Sequence, residues 1–239
     1  MDLAAIWDRL WADVTMHIYP TLPAVLIPLG VVVAVLAVPA LWGVVRHAVT
    51  IAHEGGHALV AVLTGRRVSG IRLHSDTSGV TESWGNARRL PLSLVAFAGY
   101  PAPAVLGLAC AWALSQGWAV GVLWALLVVL LLVLMRIRNW FGFFVMVVAI
   151  AGLGAAAWSL PDEWRVGIAY GIAWLLLLGA VRAVLELGAS RRRGRGRGSD
   201  ADALARLTRV PGAVWVGLFW LVTVGCAAFG GWIMVGHIV

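Results

Sequence analysis

The chain is divided into apolar stretches of about twenty residues, the length at which an α-helix crosses the hydrocarbon of a bilayer. No other feature constrains the fold as much. Leu22–Trp42, Leu92–Leu114, Trp118–Met135, Trp140–Leu160 and Ala213–Val235 contain no Asp, Glu, Lys or Arg; Gly43–Leu63 and Val166–Leu187 contain two each. Only 12% of the 239 residues are charged and 62% are hydrophobic, about half the charge of a soluble domain. Polar groups are therefore too few to cover a globular surface, which excludes a soluble or disordered chain. The expected fold is an all-α polytopic membrane protein with about seven transmembrane helices, multi-pass in the cell membrane.

The segments between spans set the organisation. Residues 1–19 read as an amphipathic helix, with Ile6, Leu10, Trp11 and Val14 on one side, suited to the membrane interface. Nothing there has the basic start of a cleaved signal. Residues 20–188 form the membrane core, with a second helix at 43–63 followed by a polar hairpin loop at 65–90. In that loop Arg67–Leu73 and Gly79–Ser83 read as short strands around the turn signal Asp76–Gly79. Residues 189–199 read as a flexible Gly/Arg linker. Residues 200–239 comprise a short helix at Asp200–Thr208, with Ser199 as N-cap and Pro211 as stop, and the last span.

The formal net charge is +7, and all 18 basic residues are Arg. Arg66, Arg67, Arg72, Arg88 and Arg89 lie in the hairpin loop, Arg136 and Arg138 in the next loop on that side, and the run Arg191–Arg197 in the third. Loops rich in Arg stay in the cytoplasm, so seven spans imply a cytoplasmic N-terminus and an external C-terminus. The Arg191–Arg197 run fits topology or anionic lipid rather than nucleic acid. Cys110 and Cys226 lie in apolar stretches and form no disulfide framework. The absence of Lys beside heavy use of Ala, Val, Gly and Arg points to a GC-rich bacterial genome.

The second helix contains His53-Glu54-Gly55-Gly56-His57. Residues four apart on a helix share a face, so both imidazoles can reach one ion, and Zn²⁺ takes such nitrogens at about 2.0–2.1 Å. Glu54 is placed to accept a proton from water, the zincin arrangement. With six His and four Glu in the chain, chance predicts about 0.0025 such patterns. Gly55 and Gly56 are costly in a helix but permit close approach of another element or of an extended substrate. His53 lies about 15 Å from the helix end, inside the bilayer yet within reach of water. His47 lies off the ligand face and reads as a helix–helix hydrogen-bonding group.

A His-Glu-x-x-His inside a span with a strand hairpin directly after it resembles the site-2 protease family of intramembrane zinc metallopeptidases, in a divergent bacterial branch. The matching stretch is HEGGHALVAVLTGRRVSGIRLHSDTSGVTES, and Ala98-Gly99-Tyr100-Pro101-Ala102 is similar to the Gly-Pro-x-x-Asn segment opening the family's next core helix. The resemblance implies a third metal ligand from an Asp in a Leu-Asp-Gly motif, but the matching region here reads Arg136-Ile137-Arg138-Asn139-Trp140-Phe141-Gly142, without a carboxylate and similar to the Arg-Asn-x-x-Gly of the divergent branch. The branch resembled also has a Ser-Asp-Ala segment before its last span, matched here around Asp200 and Asp202. Asp200 either closes the metal site or is a first-turn acid favoured by the helix macrodipole. Asn139 either binds substrate backbone, polarises the scissile carbonyl, or caps the following helix. His74 is a further candidate ligand.

The function expected is zinc-dependent hydrolysis of peptide bonds in membrane-embedded or membrane-tethered proteins, with His53, His57 and Asp200 on Zn²⁺, Glu54 as general base, and the hairpin edge holding an extended substrate. By resemblance, substrates would include an anti-sigma factor or a signal-peptide remnant. A catalytically silent relative that binds metal or partner proteins is the second reading, motivated by the missing Leu-Asp-Gly carboxylate and opposed by the retention of Glu54. A transporter would spread polar residues over several spans; here they concentrate on one.

Overall fold

The structure, a computed structural model, describes residues 2–194 and 198–236. The chain is mostly helical and carries one small antiparallel sheet. Helix α1 (Leu3–Thr15) is followed by α2 (Leu22–Ala37) and α3 (Pro39–Leu63), strands β1 (Arg67–Leu73) and β2 (Gly79–Trp84), then α4 (Arg89–Ala98), α5 (Pro101–Ser115), α6 (Ala119–Leu134), α7 (Trp140–Ser159), α8 (Asp162–Arg192), α9 (Asp200–Thr208) and α10 (Gly212–Gly236). Among the described residues, three helices are long and apolar enough to cross a membrane, or up to five if each bent pair is one span. The sixteen-residue α6 is a shorter apolar helix.

Two breaks change the expected span pattern. The sequence predicts separate helices at 22–42 and 43–63, but the chain bends by 111° between α2 and α3 at Val38. Proline disfavours helical backbone in the residue before it, so Val38 is extended (φ −94°, ψ 113°) and Pro39 begins α3. The predicted single span 92–114 is likewise two helices, α4 and α5, bent by 60°. Pro101, at the first position of α5, marks that break.

The two ends of the bundle are fixed by polar contacts. The Ile18 N–H donates to Gly117 O at 2.8 Å, and the buried Asp13 pairs with Arg165 at 3.1 Å, while the Arg9 guanidinium lies 4.1 Å from the Trp158 ring centre. Helix α1 and its exit therefore meet the 115–118 and 160–165 connections at one end. The seven-span reading puts α1 on the opposite side from these connections. Between these contacts and the hairpin the chain runs through the α2–α3 pair, bent by 111°.

At the other end, β1 and β2 pair from Arg67↔Trp84 to Leu73↔Gly79, with a bulge between Val68 and Gly70. The segment before α7 closes the outer edge of β1. Ile71 N–H donates to Arg136 O (2.7 Å) and Arg138 N–H to Ile71 O (2.9 Å). Asn139 continues the ladder with its side chain, Oδ1 accepting from Leu73 N–H (3.1 Å) and Nδ2 donating to Leu73 O (2.6 Å). It stands at the N-cap position of α7 but makes no capping bond. Gly142 leaves the room this amide needs: a Cβ there would lie 2.6 Å from Asn139 Oδ1. Beneath the sheet Ile51, Ile71, Leu73, Ile137 and Met146 form one buried cluster.

The main core joins α2, α5, α6, α8 and α10 around Tyr170, Trp174, Leu177 and Leu123. Lipid is as apolar as Leu, so association depends on close packing; buried positions on α5 and α8 are accordingly small, with Ala104, Ala111, Ala169, Ala173 and Ala180. The expected flexible linker at 189–199 is shorter than predicted. Helix α8 continues through Arg192, with Arg191 and Arg192 in its last turn, where cations favour the macrodipole. Of the basic run, Arg195 and Arg197 lie outside the described residues. Both cysteines are free.

Replacing Asn139 by Ala removes both partners of the Leu73 backbone. The expected cost is about 1–3 kcal/mol, seen as a lowered melting temperature in detergent, with faster amide exchange at Ile71 and Leu73.

Candidate metal centre

One turn of α3 separates His53 from His57, and their Nε2 atoms lie 3.1 Å apart with the rings edge to face. His57 Nδ1 donates to Val95 O at 2.7 Å, which turns Nε2 toward His53 and Asp200. The edge of the His53 ring meets Tyr100, with centroids 4.8 Å apart, and Tyr100 stacks on Phe219 of α10.

The third group comes from the far side of the sequence. Asp200, the first residue of α9, brings Oδ2 to 3.1 Å from His53 Nε2 and 3.3 Å from His57 Nε2. Among the described residues, His53, His57 and Asp200 are the group able to hold a metal ion. Burial raises the Asp200 carboxyl pKa, but the hydrogen bonds to His53 and His57 outweigh it and hold the group well below the usual carboxylate range.

The local sequence explains why α9 presents Asp200 rather than Asp202. Two residues on a helix are about 200° apart, so only one of the pair can face α3. Ala201 and Leu204 bury against Val184, Leu187 and Phe219, which sets the rotation. Asp202 then receives Arg191 on Oδ1 and the Gly198 N–H on Oδ2 at 3.0 Å. Arg191 also donates to Ser199 Oγ at 3.1 Å. Ser199 occupies the N-cap position without a side-chain cap bond, because its hydroxyl serves Arg191. Arg191 thus ties the end of α8 to the start of α9.

These donors fit zinc. Bonds of about 2.0–2.1 Å in a tetrahedron put ligand atoms about 3.3–3.4 Å apart, and the three observed separations are 3.1, 3.1 and 3.3 Å. Two imidazole nitrogens and one carboxylate oxygen are a ligand set used by catalytic zinc, which keeps a further position open. All three residues line one cavity of about 610 Å³, together with Glu54, Tyr100 and Gly79–Thr81.

Glu54 is 3% exposed. Thr81 Oγ1 of β2 donates to its Oε2 at 2.6 Å, and the backbone of β2 comes so close that a Cβ on Gly79 would lie 2.6 Å from Glu54 Oε1. The other candidates are elsewhere. Asn139 is bound to the Leu73 backbone. His74 meets Ser78 Oγ in the hairpin turn at 3.2 Å. His47 faces Val44 O (3.2 Å) and the Phe141 ring.

Sequence reasoning missed the groups that shape the cluster. The kink between α4 and α5 is pressed against the imidazoles at Gly99, where a Cβ would lie 2.5 Å from His57 Nε2 and 2.6 Å from His53 Nε2. Gly56 lets that kink approach, since its Cβ would fall 2.3 Å from Ala102 Cβ. The Ala98-Gly99-Tyr100-Pro101 string was a usable signal for the kink. Nothing in the sequence ties Val95 O to His57. Replacing Gly99 by Ala is expected to push the rings apart and lower zinc affinity about 10–100-fold, measured by competition with a chromophoric chelator.

No curated protein and no solved structure matches the chain. The model of the Peptidase M50B-like family matches residues 26–230. That span takes in both imidazoles, Glu54 and Asp200, and the chain belongs to this family, the site-2 protease family.

Proposed function

We propose that the protein is a zinc-dependent intramembrane endopeptidase that cleaves membrane-embedded or membrane-tethered proteins. The observation that carries this reading is the meeting of His53, His57 and Asp200 at 3.1–3.3 Å beside a buried Glu54 in one cavity. Asp200 stands in for the carboxylate that the Arg138–Gly142 segment lacks. Zn²⁺ held by these three residues would supply Lewis acidity toward the scissile carbonyl and would lower the pKa of the attacking water. Glu54 accepts the proton of that water and returns it to the leaving nitrogen. Thr81 fixes one carboxylate oxygen of Glu54 by its hydrogen bond, so the other is free for the proton. A binding-only site has no use for a carboxylate oriented in this way.

A helical substrate must unwind before its peptide bonds are accessible, and the extended chain needs backbone partners. The outer edge of β1 is occupied by residues 136–139. The outer edge of β2 borders the cavity at Gly79–Thr81 and is the edge available for strand addition.

The orientation that best fits is six crossings: α2 with α3, α4 with α5, α6, α7, α8 and α10. The Arg-rich hairpin end faces the cytoplasm, and both chain termini lie on the opposite side. The net acidic α1, with Asp2, Asp8 and Asp13 against Arg9, agrees with an external position.

Two experiments check the reading. Glu54→Gln should lower cleavage of a tagged single-span substrate by about 10²–10⁴-fold with zinc content unchanged, whereas Asp200→Ala should lower both. Zinc retained in full by Asp200→Ala would remove Asp200 from the ligand set. For orientation, Asp8→Cys in intact cells should react with an impermeant maleimide and Asn86→Cys only after permeabilisation. The reverse pattern inverts the proposed topology.

A further inference from the structure

The stripe of α3 that carries His53 and His57 extends upstream to Arg46. Seven residues on a helix rotate about 700°, nearly two full turns, so Arg46 and His53 share a face about 10 Å apart along the axis. Both line the 610 Å³ cavity, and among the described residues Arg46 is the one arginine that does. Its acidic neighbour is shared. Arg46 Nη1 lies 3.3 Å from Glu186 Oε2, while Glu186 Oε1 accepts from Arg182 Nε at 3.1 Å and from Trp42 Nε1 at 2.7 Å. Glu186 Oε2 makes no hydrogen bond, so Arg46 is held by charge alone and its side chain stays 37% exposed.

Two guanidinium groups and one carboxylate leave one positive charge uncompensated where α3 meets α8. A structural ion pair between these helices needs one arginine, and a second inside apolar helices is costly unless it has a task. The lining acids, Glu54 and Asp200, are committed to Thr81 and to the imidazoles. The cavity therefore offers a partly exposed cation that shares its counter-charge at one end and the reacting groups at the other.

We propose that Arg46 is a carboxylate-binding subsite of the substrate cleft, which makes it a specificity-determining residue. This inference rests on the proteolytic reading of the same cavity. Thr50 Oγ1 donates to Thr77 O at 2.8 Å and Thr81 to Glu54, so β2 and α3 run side by side in the same sense. A strand laid on the outer edge of β2 leaves the cavity past Gly79, toward Arg46. An extended chain advances about 3.3 Å per residue, so the recognised carboxylate lies about three residues from the scissile bond. Guanidinium binds carboxylate through paired N–H donors. The carboxylate is either an Asp or Glu side chain or the α-carboxylate of a chain terminus.

The test uses zinc-loaded Glu54→Gln protein in nanodiscs, which binds without turnover, and fluorescence anisotropy with labelled apolar peptides. One pair of peptides differs by Asp against Asn, moved along the sequence; the other differs by a C-terminal acid against an amide. One acid form should bind about tenfold more tightly than its amide counterpart, and the pair that does so identifies the source of the carboxylate. Adding Arg46→Gln should reduce that ratio to below about twofold. Adding Glu186→Gln, which frees Arg46, should preserve or raise it. Absence of discrimination in both pairs, a ratio unchanged by Arg46→Gln, or equal loss in both variants would overturn the subsite, the last by showing that the ion pair is only structural. Discrimination that behaves as expected in a protein whose wild type cleaves nothing would sink the proteolytic reading and leave the subsite standing.

Discussion

The site depends on one carboxylate oxygen lying within 3.3 Å of two imidazole nitrogens that are themselves 3.1 Å apart. His57 gives its Nδ1 proton to Val95 O, which sets its Nε2 only 3.1 Å from that of His53. Two such nitrogens do not hold this distance unless an electropositive centre, a proton or a cation, lies between them. Asp200 completes that demand from the third side. Bringing it there governs the architecture of the C-terminal third: α8 overruns its apolar stretch, Arg191 clamps the start of α9, and Leu204 and Phe219 bury the helix against α8 and α10.

The hairpin divides its two edges between structure and access. One is sealed by backbone from residues 136–138 and by the Asn139 amide, so β1 is central rather than exposed. The other, on β2, faces the groups that would carry out the chemistry. Thr81 belongs to both settings, since it lies on the strand and holds Glu54. Movement of β2 would therefore also move Glu54, coupling the position of the strand edge to the orientation of the carboxylate.

Much of this was legible in the sequence because it rests on local spacing. The His53–His57 turn, the hairpin strands and the short helix at Asp200–Thr208 each follow from periodicity or capping within a few residues, and β2 runs only one residue past its expected end. The span pattern failed where apolar composition hides geometry. The chain is apolar immediately on both sides of Val38, and Pro39 records the bend; Pro28 stands inside α2 without breaking it. Asn139 read as a cap or a catalytic amide because sequence shows the helix it precedes but not the strand it pairs with. Asp200 and Asp202 could not be separated until Ala201 and Leu204 were seen to face the core.

The ligand set is also distributed in time. Asp200 is made 143 residues after His57 (200 minus 57), and translation at about 5–20 residues per second puts it on the order of ten seconds behind. During that interval the nascent helix holds His53, Glu54 and His57 without Asp200. On the proteolytic reading proposed above, a competent site would arise only when the C-terminal segment folds back onto α3.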